Sequence, residues 1–293
     1  MKFAVIGGDL RLAKLAGLLR ADGHEVSVYA LDKVDFVEDI VQAPSAAEAV
    51  DGADCAVLPL PVSLSDGFLN APLSSDAHSI EKVLSQIPRE TLLCGGLLRE
   101  PILEECARLG VRAEDYFLRE ELIVTNAEAT AEGALQILME ETPVTICGSR
   151  CLVVGYGRIG KLLARMLKAL GAQVTVSARK AADEAWIHAE GYGFLHTYRL
   201  SGKLSDFDMV VNTVPARIFS GPDLQELASC RLYLDLASRP GGLDFSAASR
   251  AGVKTVWAHS LPGEVAPESC AAAIRDAVQN IIKEQVKNTC PKE

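Results

Sequence analysis

Cys151-Leu152-Val153-Val154-Gly155-Tyr156-Gly157-Arg158-Ile159-Gly160 is the segment that most restricts this chain's fold: an apolar strand running into Gly-x-Gly-x-x-Gly. The glycine spacing alone says little, and its surroundings give it meaning. Residues 161–170 continue with helical apolar spacing, Gly171 stops them, and 173–177 reads as a second strand. A strand–turn–helix–strand unit of this kind predicts a parallel sheet that binds a dinucleotide. Its glycines permit a tight turn, close approach of a pyrophosphate and close helix–strand packing, while the helix start offers N–H groups and a positive dipole end to phosphate. Gly155, Tyr156, Gly157, Arg158, Ile159 and Gly160 are therefore the expected cofactor contacts.

The end of the second strand indicates which dinucleotide. Where NAD is preferred, an acid about 20 residues after the motif binds the ribose 2′-hydroxyl. This chain instead reads Ser177-Ala178-Arg179-Lys180. A hydroxyl and two cations suit a 2′-phosphate, with Ser177 donating a hydrogen bond and Arg179 a charged fork. The sequence thus predicts NADP(H) over NAD(H). The plainer alternative is that Arg179 and Lys180 form a solvated loop.

At 293 residues the chain has the length of two domains. Its 49% hydrophobic and 23% charged residues are ordinary for a globular protein. A net charge of −10 argues against general binding to nucleic acid or an anionic membrane. No apolar run approaches the roughly 20 residues of a membrane span, and the first residues enter a strand without the pattern of a signal peptide. Eight cysteines lack any Cys-x-x-Cys pair, and no histidine cluster accompanies Cys147 and Cys151. The expectation is reduced, structural cysteines in a cytoplasmic protein that holds no metal.

Strand and helix patterns alternate in both halves. Strands are expected at 2–7, 25–29, 55–58, 91–94 and 111–113, with helices at 10–21, 46–50, 79–86 and 101–108. A helix at 127–140 leads into the nucleotide domain, which continues with strands at 209–212, 232–236 and 254–258 before a last helix at 267–287. This alternation predicts an α/β protein of two Rossmann-like, doubly wound parallel-sheet domains with a cleft between them, linked by long helices. The expected boundaries are 1–125 for a substrate domain, 126–266 for the NADP domain and 267–293 for a helix packing back on the first, the last by analogy with two-domain dehydrogenases.

Several segments together resemble the A subunits of dipicolinate synthase. They include Ile6-Gly7-Gly8-Asp9-Leu10-Arg11, Leu58-Pro59-Leu60-Pro61-Val62-Ser63, Asp115-Tyr116-Phe117-Leu118-Arg119-Glu120-Glu121, Asn126-Ala127-Glu128-Ala129-Thr130-Ala131-Glu132-Gly133-Ala134, Asp235-Leu236-Ala237-Ser238-Arg239-Pro240-Gly241-Gly242 and Leu261-Pro262-Gly263-Glu264-Val265-Ala266-Pro267. The second half is also similar to D-2-hydroxy-acid dehydrogenases, alanine dehydrogenase and adenosylhomocysteinase. The first resemblance implies NADP-dependent oxidation of dihydrodipicolinate, or its hydrated precursor, to dipicolinate in the mother cell of a sporulating bacterium. It further implies a small dicarboxylate substrate, a flavoprotein-like B subunit as partner and a homo-oligomer. The competing readings are a D-2-hydroxy-acid or amino-acid dehydrogenase and, outside enzymes, a nucleotide-binding scaffold subunit.

Three residues are candidates for the chemistry. Arg11, at the start of the first helix, suits a substrate carboxylate, while its bland alternative is that Asp9 caps the helix and Arg11 pairs with a surface acid. Arg239 follows a strand end where hydroxy-acid dehydrogenases carry a carboxylate-binding arginine, although Pro240 is interposed here. His259 ends the last strand at the place of their acid/base histidine, and a neutral imidazole can accept a proton there. Thr213, Val214 and Pro215 follow a strand of the nucleotide domain and are expected to touch the cofactor. Asp66 and Gly67 fall in a proline-rich loop and read best as an ordinary turn. Gly7-Gly8-Asp9-Leu10-Arg11-Leu12 begins like a second dinucleotide turn, but Asp9 and Leu12 replace its later glycines, so no second dinucleotide is expected.

Overall fold

The structure, a computed structural model, describes residues 1–36, 39–64, 67–258 and 260–289. The chain divides into two compact units, Met1–Thr125 together with the chain from Ala266 onward, and Asn126–Val265.

In the first unit, β1 (Lys2–Ile6), α1 (Leu10–Ala21), β2 (Glu25–Tyr29), β3 (Ile40–Gln42), α2 (Ala46–Val50) and β4 (Cys55–Val57) are followed by α3 (Ile80–Ser85), β5 (Leu92–Gly95), α4 (Glu100–Leu109) and β6 (Ala113–Asp115). The next helix, α5, spans Glu120–Glu141. It begins earlier than the apolar pattern suggested, because no proline or glycine interrupts 120–132 and Glu120 and Glu121 favour a helix N-terminus.

The second unit contains β7 (Arg150–Val154), α6 (Arg158–Ala169), β8 (Gln173–Ala178), α7 (Ala181–Ala189), β9 (Gly193–His196), β10 (Met209–Asn212), α8 (Gly221–Leu227), β11 (Leu232–Asp235), α9 (Phe245–Arg250), β12 (Thr255–Trp257) and α10 (Leu261–Val265). The chain then returns to the first unit as α11 (Pro267–Thr289).

Both sheets have six strands, ordered β3-β2-β1-β4-β5-β6 and β12-β11-β10-β7-β8-β9, and every pairing is parallel. This is one doubly wound order used twice. Each sheet reverses direction beside its first strand, the place where sheets of this order can leave a crevice at their strands' carboxyl ends. The central strands are buried on both faces, which explains why 151–154 and 209–211 read as unbroken apolar runs. In the first unit, Ala271, Ile274, Ala277, Val278 and Ile281 of α11 join Leu12, Leu15 and Leu19 of α1 in one core.

Candidate functional site

The three motif glycines are required for three different reasons. Gly155 ends β7 with φ of +102°, and a side chain there would lie 2.5 Å from Thr213 Oγ1 and 2.8 Å from Val214 Cγ2. Gly160 packs its bare Cα against the Gly155 carbonyl, where no Cβ fits. Gly157 has an ordinary φ of −81° and open space within 4 Å, so nothing in the protein itself demands glycine there. Gly157 is also the N-cap of α6, which has neither a side-chain cap nor an acid in its first turn. A helix start with these properties is a ready anion site.

A cavity of about 460 Å³ opens over this turn. Gly155, Tyr156 and Gly157 form one side, Ala178, Arg179 and Lys180 the second, and Thr213, Val214 and Pro215 the third. Arg158 and Ile159 lie in the first turn of α6 and Gly160 behind it, outside the cavity wall. Thr213 is held by hydrogen bonds from its N–H and Oγ1 to the Val154 carbonyl, both 2.9 Å. The wall thus comes from β7, β8 and β10, the strands flanking the switch point.

One expected contact changes. Ser177 is fully buried within β8, and its Oγ accepts from Thr197 Oγ1 at 3.3 Å. It therefore faces the protein interior and cannot donate to a phosphate in the cavity. Arg179 is exposed, and its Nη1 donates to the Tyr198 hydroxyl at 3.3 Å. That hydrogen bond raises the guanidinium's pKa further, so the group is a permanent cation. The cavity also takes in Thr197 and Tyr198, beyond β9, and Arg217, none of which the sequence pattern singles out. Pairing of Ala178 with His196 carries 197–198 to the site, and the short β9 was not anticipated. Asp183, in the first turn of α7, is the single carboxylate among the described residues of the wall, against the cations Arg179, Lys180 and Arg217. This open, cation-bordered cradle, whose one unobstructed glycine a Cβ would fill, fits a nicotinamide dinucleotide.

Arg239 lies in the turn after β11, exposed and without a hydrogen bond or ion pair among the described residues. Asp235, fully buried at the end of β11, organises that turn by accepting from the N–H groups of Ala237 (3.0 Å) and Gly242 (2.7 Å). His259 and Asp66 lie outside the described residues.

The first unit closes the turn that corresponds to the dinucleotide motif. The Gly8 N–H donates to the Asn70 carbonyl at 2.9 Å, and a Cβ on Gly7 would meet Leu69 Cδ2 at 2.7 Å. The chain after β4 therefore occupies the place a phosphate would take. Asp9 caps α1 by accepting from the Arg11 N–H at 3.0 Å. Arg11 is not presented as a carboxylate clamp. Its side chain is buried, its Nη2 lies 2.8 Å from Asp9 Oδ2, and the same nitrogen donates to the Leu60 carbonyl. Asp9 is the cap, as in the plainer alternative drawn from the sequence, but the acid Arg11 pairs with is Asp9 itself and not a separate surface acid. Among the described residues no group of three or more His, Cys, Asp or Glu side chains could hold a metal ion. No helix among them is long and apolar enough to cross a membrane.

Comparison with known proteins agrees with these two halves. Residues 2–117 match the family model described as the N-terminal domain of the dipicolinate synthase A subunit. Residues 124–218 match the NAD binding domain of the D-isomer specific 2-hydroxyacid dehydrogenases. The chain is 29% identical to the dipicolinate synthase A subunit of Bacillus subtilis over 286 residues, covering 97% of this chain and 96% of that protein. The crystal structure of the dipicolinate synthase A chain from Bacillus subtilis superposes with a TM-score of 0.86, covering 98% of this chain and 97% of the other at 29% identity. That of the Bacillus halodurans A subunit also gives 0.86, covering 96% and 97% at 26% identity. The resemblance drawn from the sequence segments is thereby borne out, as are the two parallel-sheet α/β domains.

Proposed function

Since this chain belongs to the family of dipicolinate synthase A subunits, we propose that it is the NADP-dependent oxidoreductase subunit that converts dihydrodipicolinate, or its hydrated precursor, to dipicolinate. The observation that carries this reading is the β7–α6 cradle, with Gly157 open to a pyrophosphate and Arg179 and Lys180 at the end of β8. An NAD binding domain already implies a nicotinamide cofactor. The absence of a carboxylate from Ala178-Arg179-Lys180 selects the phosphorylated form, with Arg179 in the role first shared with Ser177.

Held over the Gly155–Gly157 turn and the 213–215 wall, a nicotinamide cofactor would supply the hydride acceptor this oxidation needs. Aromatisation releases one proton as well, and His259 is assigned to take it because it follows β12 in the sequence. Arg239, exposed and unpaired among the described residues, anchors a substrate carboxylate. Residues 1–125 serve as the substrate domain, 126–266 as the cofactor domain and 267–293 as the returning helix. The family's name implies a partner subunit, for which a flavoprotein-like B subunit is proposed, and the chain is assigned to homo-oligomers in the cytoplasm of the mother cell.

Titration of the purified chain with NADPH and NADH, followed by nicotinamide fluorescence, tests the cofactor assignment. Saturable NADPH binding, tighter than NADH, is expected. No binding, or preference for NADH, would overturn it.

A further inference from the structure

Asp235 is a fully buried carboxylate that forms no ion pair among the described residues. All its hydrogen bonds come from neutral donors. Oδ1 accepts from Asn212 Nδ2 and the Ala237 N–H, both 3.0 Å, and Oδ2 accepts from the Tyr233 hydroxyl (2.9 Å) and the Gly242 N–H (2.7 Å). These four bonds saturate a carboxylate. Burial of a charge without a counter-ion is costly. The arrangement is understandable by what its donors carry.

Ala237 and Gly242 bracket the turn that bears Arg239. Asn212 belongs to the neighbouring strand and grips Val214 from both sides, its Nδ2 donating to the Val214 carbonyl (3.0 Å) and its Oδ1 accepting from the Val214 N–H (3.1 Å). Val214 is part of the nucleotide cavity wall. The Gly242 carbonyl closes the circuit by accepting from the N–H groups of Ile218 (2.8 Å) and Phe219 (3.0 Å). There is no slack in it: a Cβ on Gly242 would meet Asn212 Nδ2 at 2.7 Å, and one on Gly241 would lie 3.1 Å from Asp235 Oδ2.

We infer that Asp235 is a positioning residue that fixes the Arg239 turn against the cofactor wall at 213–218, so that a substrate carboxylate and the nicotinamide are held in one register. The inference rests on the proposed function for the identity of the two ligands. Asp235 touches neither of them and acts through Asn212 and the backbone of 237–242. Loss of its second acceptor oxygen leaves the pyrophosphate cradle intact and loosens the turn that carries Arg239.

The test uses Trp257, whose Nε1 donates to the Ala237 carbonyl at 2.9 Å. The chain has only two tryptophans, so Trp186→Phe makes Trp257 the sole reporter of this turn. In that parent, Asp235→Asn places an amide against donors, and Tyr233→Phe removes one donor while keeping the ring. Two affinities are measured: NADPH by nicotinamide fluorescence, and pyridine-2,6-dicarboxylate on the NADPH-loaded protein by Trp257 emission with calorimetry. For Asp235→Asn the expected result is NADPH affinity within about threefold of the parent and dicarboxylate affinity weakened roughly tenfold or more. Tyr233→Phe moves the same way by less, and decides the matter if Asp235→Asn does not fold. Unchanged dicarboxylate affinity, or parallel weakening of both ligands, overturns the inference. A parent that binds neither ligand contradicts the proposed function itself, before any further variant is made, and the inference falls with it.

Discussion

Gly160 stands directly behind the Gly155 carbonyl, so close that a single methyl at 160 would be driven into that oxygen. The contact is backbone against backbone and has no flexible side chain to yield. Gly160→Ala is therefore expected to destabilise the second unit by about 1–3 kcal/mol, the cost of overpacking a filled interior. Urea unfolding followed by tryptophan emission measures it, since Trp186 and Trp257 both lie in that unit.

Gly157 should behave in the opposite way. It has an ordinary backbone angle and nothing within 4 Å. Gly157→Asp is expected to leave stability within about 0.5 kcal/mol of the parent. The new carboxylate occupies the phosphate position at the start of α6, so NADPH affinity should fall roughly 100-fold, about 2.7 kcal/mol. Unfolding and binding measured on one preparation separate the two effects. Intact affinity would remove the pyrophosphate from this turn.

Arg179, which donates to the Tyr198 hydroxyl, is the residue proposed to set the cofactor preference through a 2′-phosphate. Arg179→Asp is expected to lower the NADPH-to-NADH affinity ratio by roughly ten- to hundredfold, the worth of a charge-assisted hydrogen bond. Parallel titrations of the two cofactors check this, and an unchanged ratio would leave Arg179 as a solvated loop residue.

The Asp9–Arg11 pair predicts an asymmetry. Asp9→Ala removes the α1 cap and leaves the buried guanidinium without its carboxylate, a loss near the low end of about 3–5 kcal/mol because Asp9 is 27% exposed. Arg11→Met removes the charge along with the partner's task and should cost less. Denaturant midpoints of the two variants compare them directly.

Helix α11 carries an acid-sensitive attachment to its unit. Glu284 accepts from both Arg119 Nη groups at 2.8 Å, and that hydrogen bonding holds its pKa below the ordinary 4.5. The hydrogen bond from Lys14 does the same for Glu268. A carboxylate whose folded pKa is depressed contributes stability that is complete above its unfolded value and is lost as pH falls through the folded one. Protection of α11 against hydrogen exchange, corrected for intrinsic rates, should therefore decline as the pH drops below about 4.5. Glu284→Gln should blunt that decline and change little at neutral pH, since the pair is solvent-exposed.

Much of the fold was legible because central strands of a doubly wound sheet are apolar on both faces and leave continuous runs such as 151–154. Two edge strands escaped notice for the same reason. Ile40–Gln42 is largely exposed and Gly193–His196 only partly buried, so neither carries a strong pattern. Missing the latter also hid Thr197 and Tyr198 from the cofactor site. Ser177 misled because a hydroxyl at a strand end looks like a ligand, whereas alternation along β8 turns it inward to Thr197. The closed turn at Gly8 was readable as a defect in the motif, but the residue that fills it, Asn70, lies 62 positions away and gave no local signal. Asp235 was visible only as the end of an apolar strand, since its partners Asn212, Tyr233 and Gly242 come together through sheet register and turn.

The most direct test is to supply the purified chain with NADP⁺ and freshly generated dihydrodipicolinate, with and without the proposed B subunit, and to follow NADPH and dipicolinate together. One NADPH formed for each dipicolinate is the predicted result, and the condition in which it occurs tells whether the chain acts alone. Dipicolinate appearing at the same rate without NADPH would contradict hydride transfer to the nicotinamide and leave the cofactor cradle an organising role only.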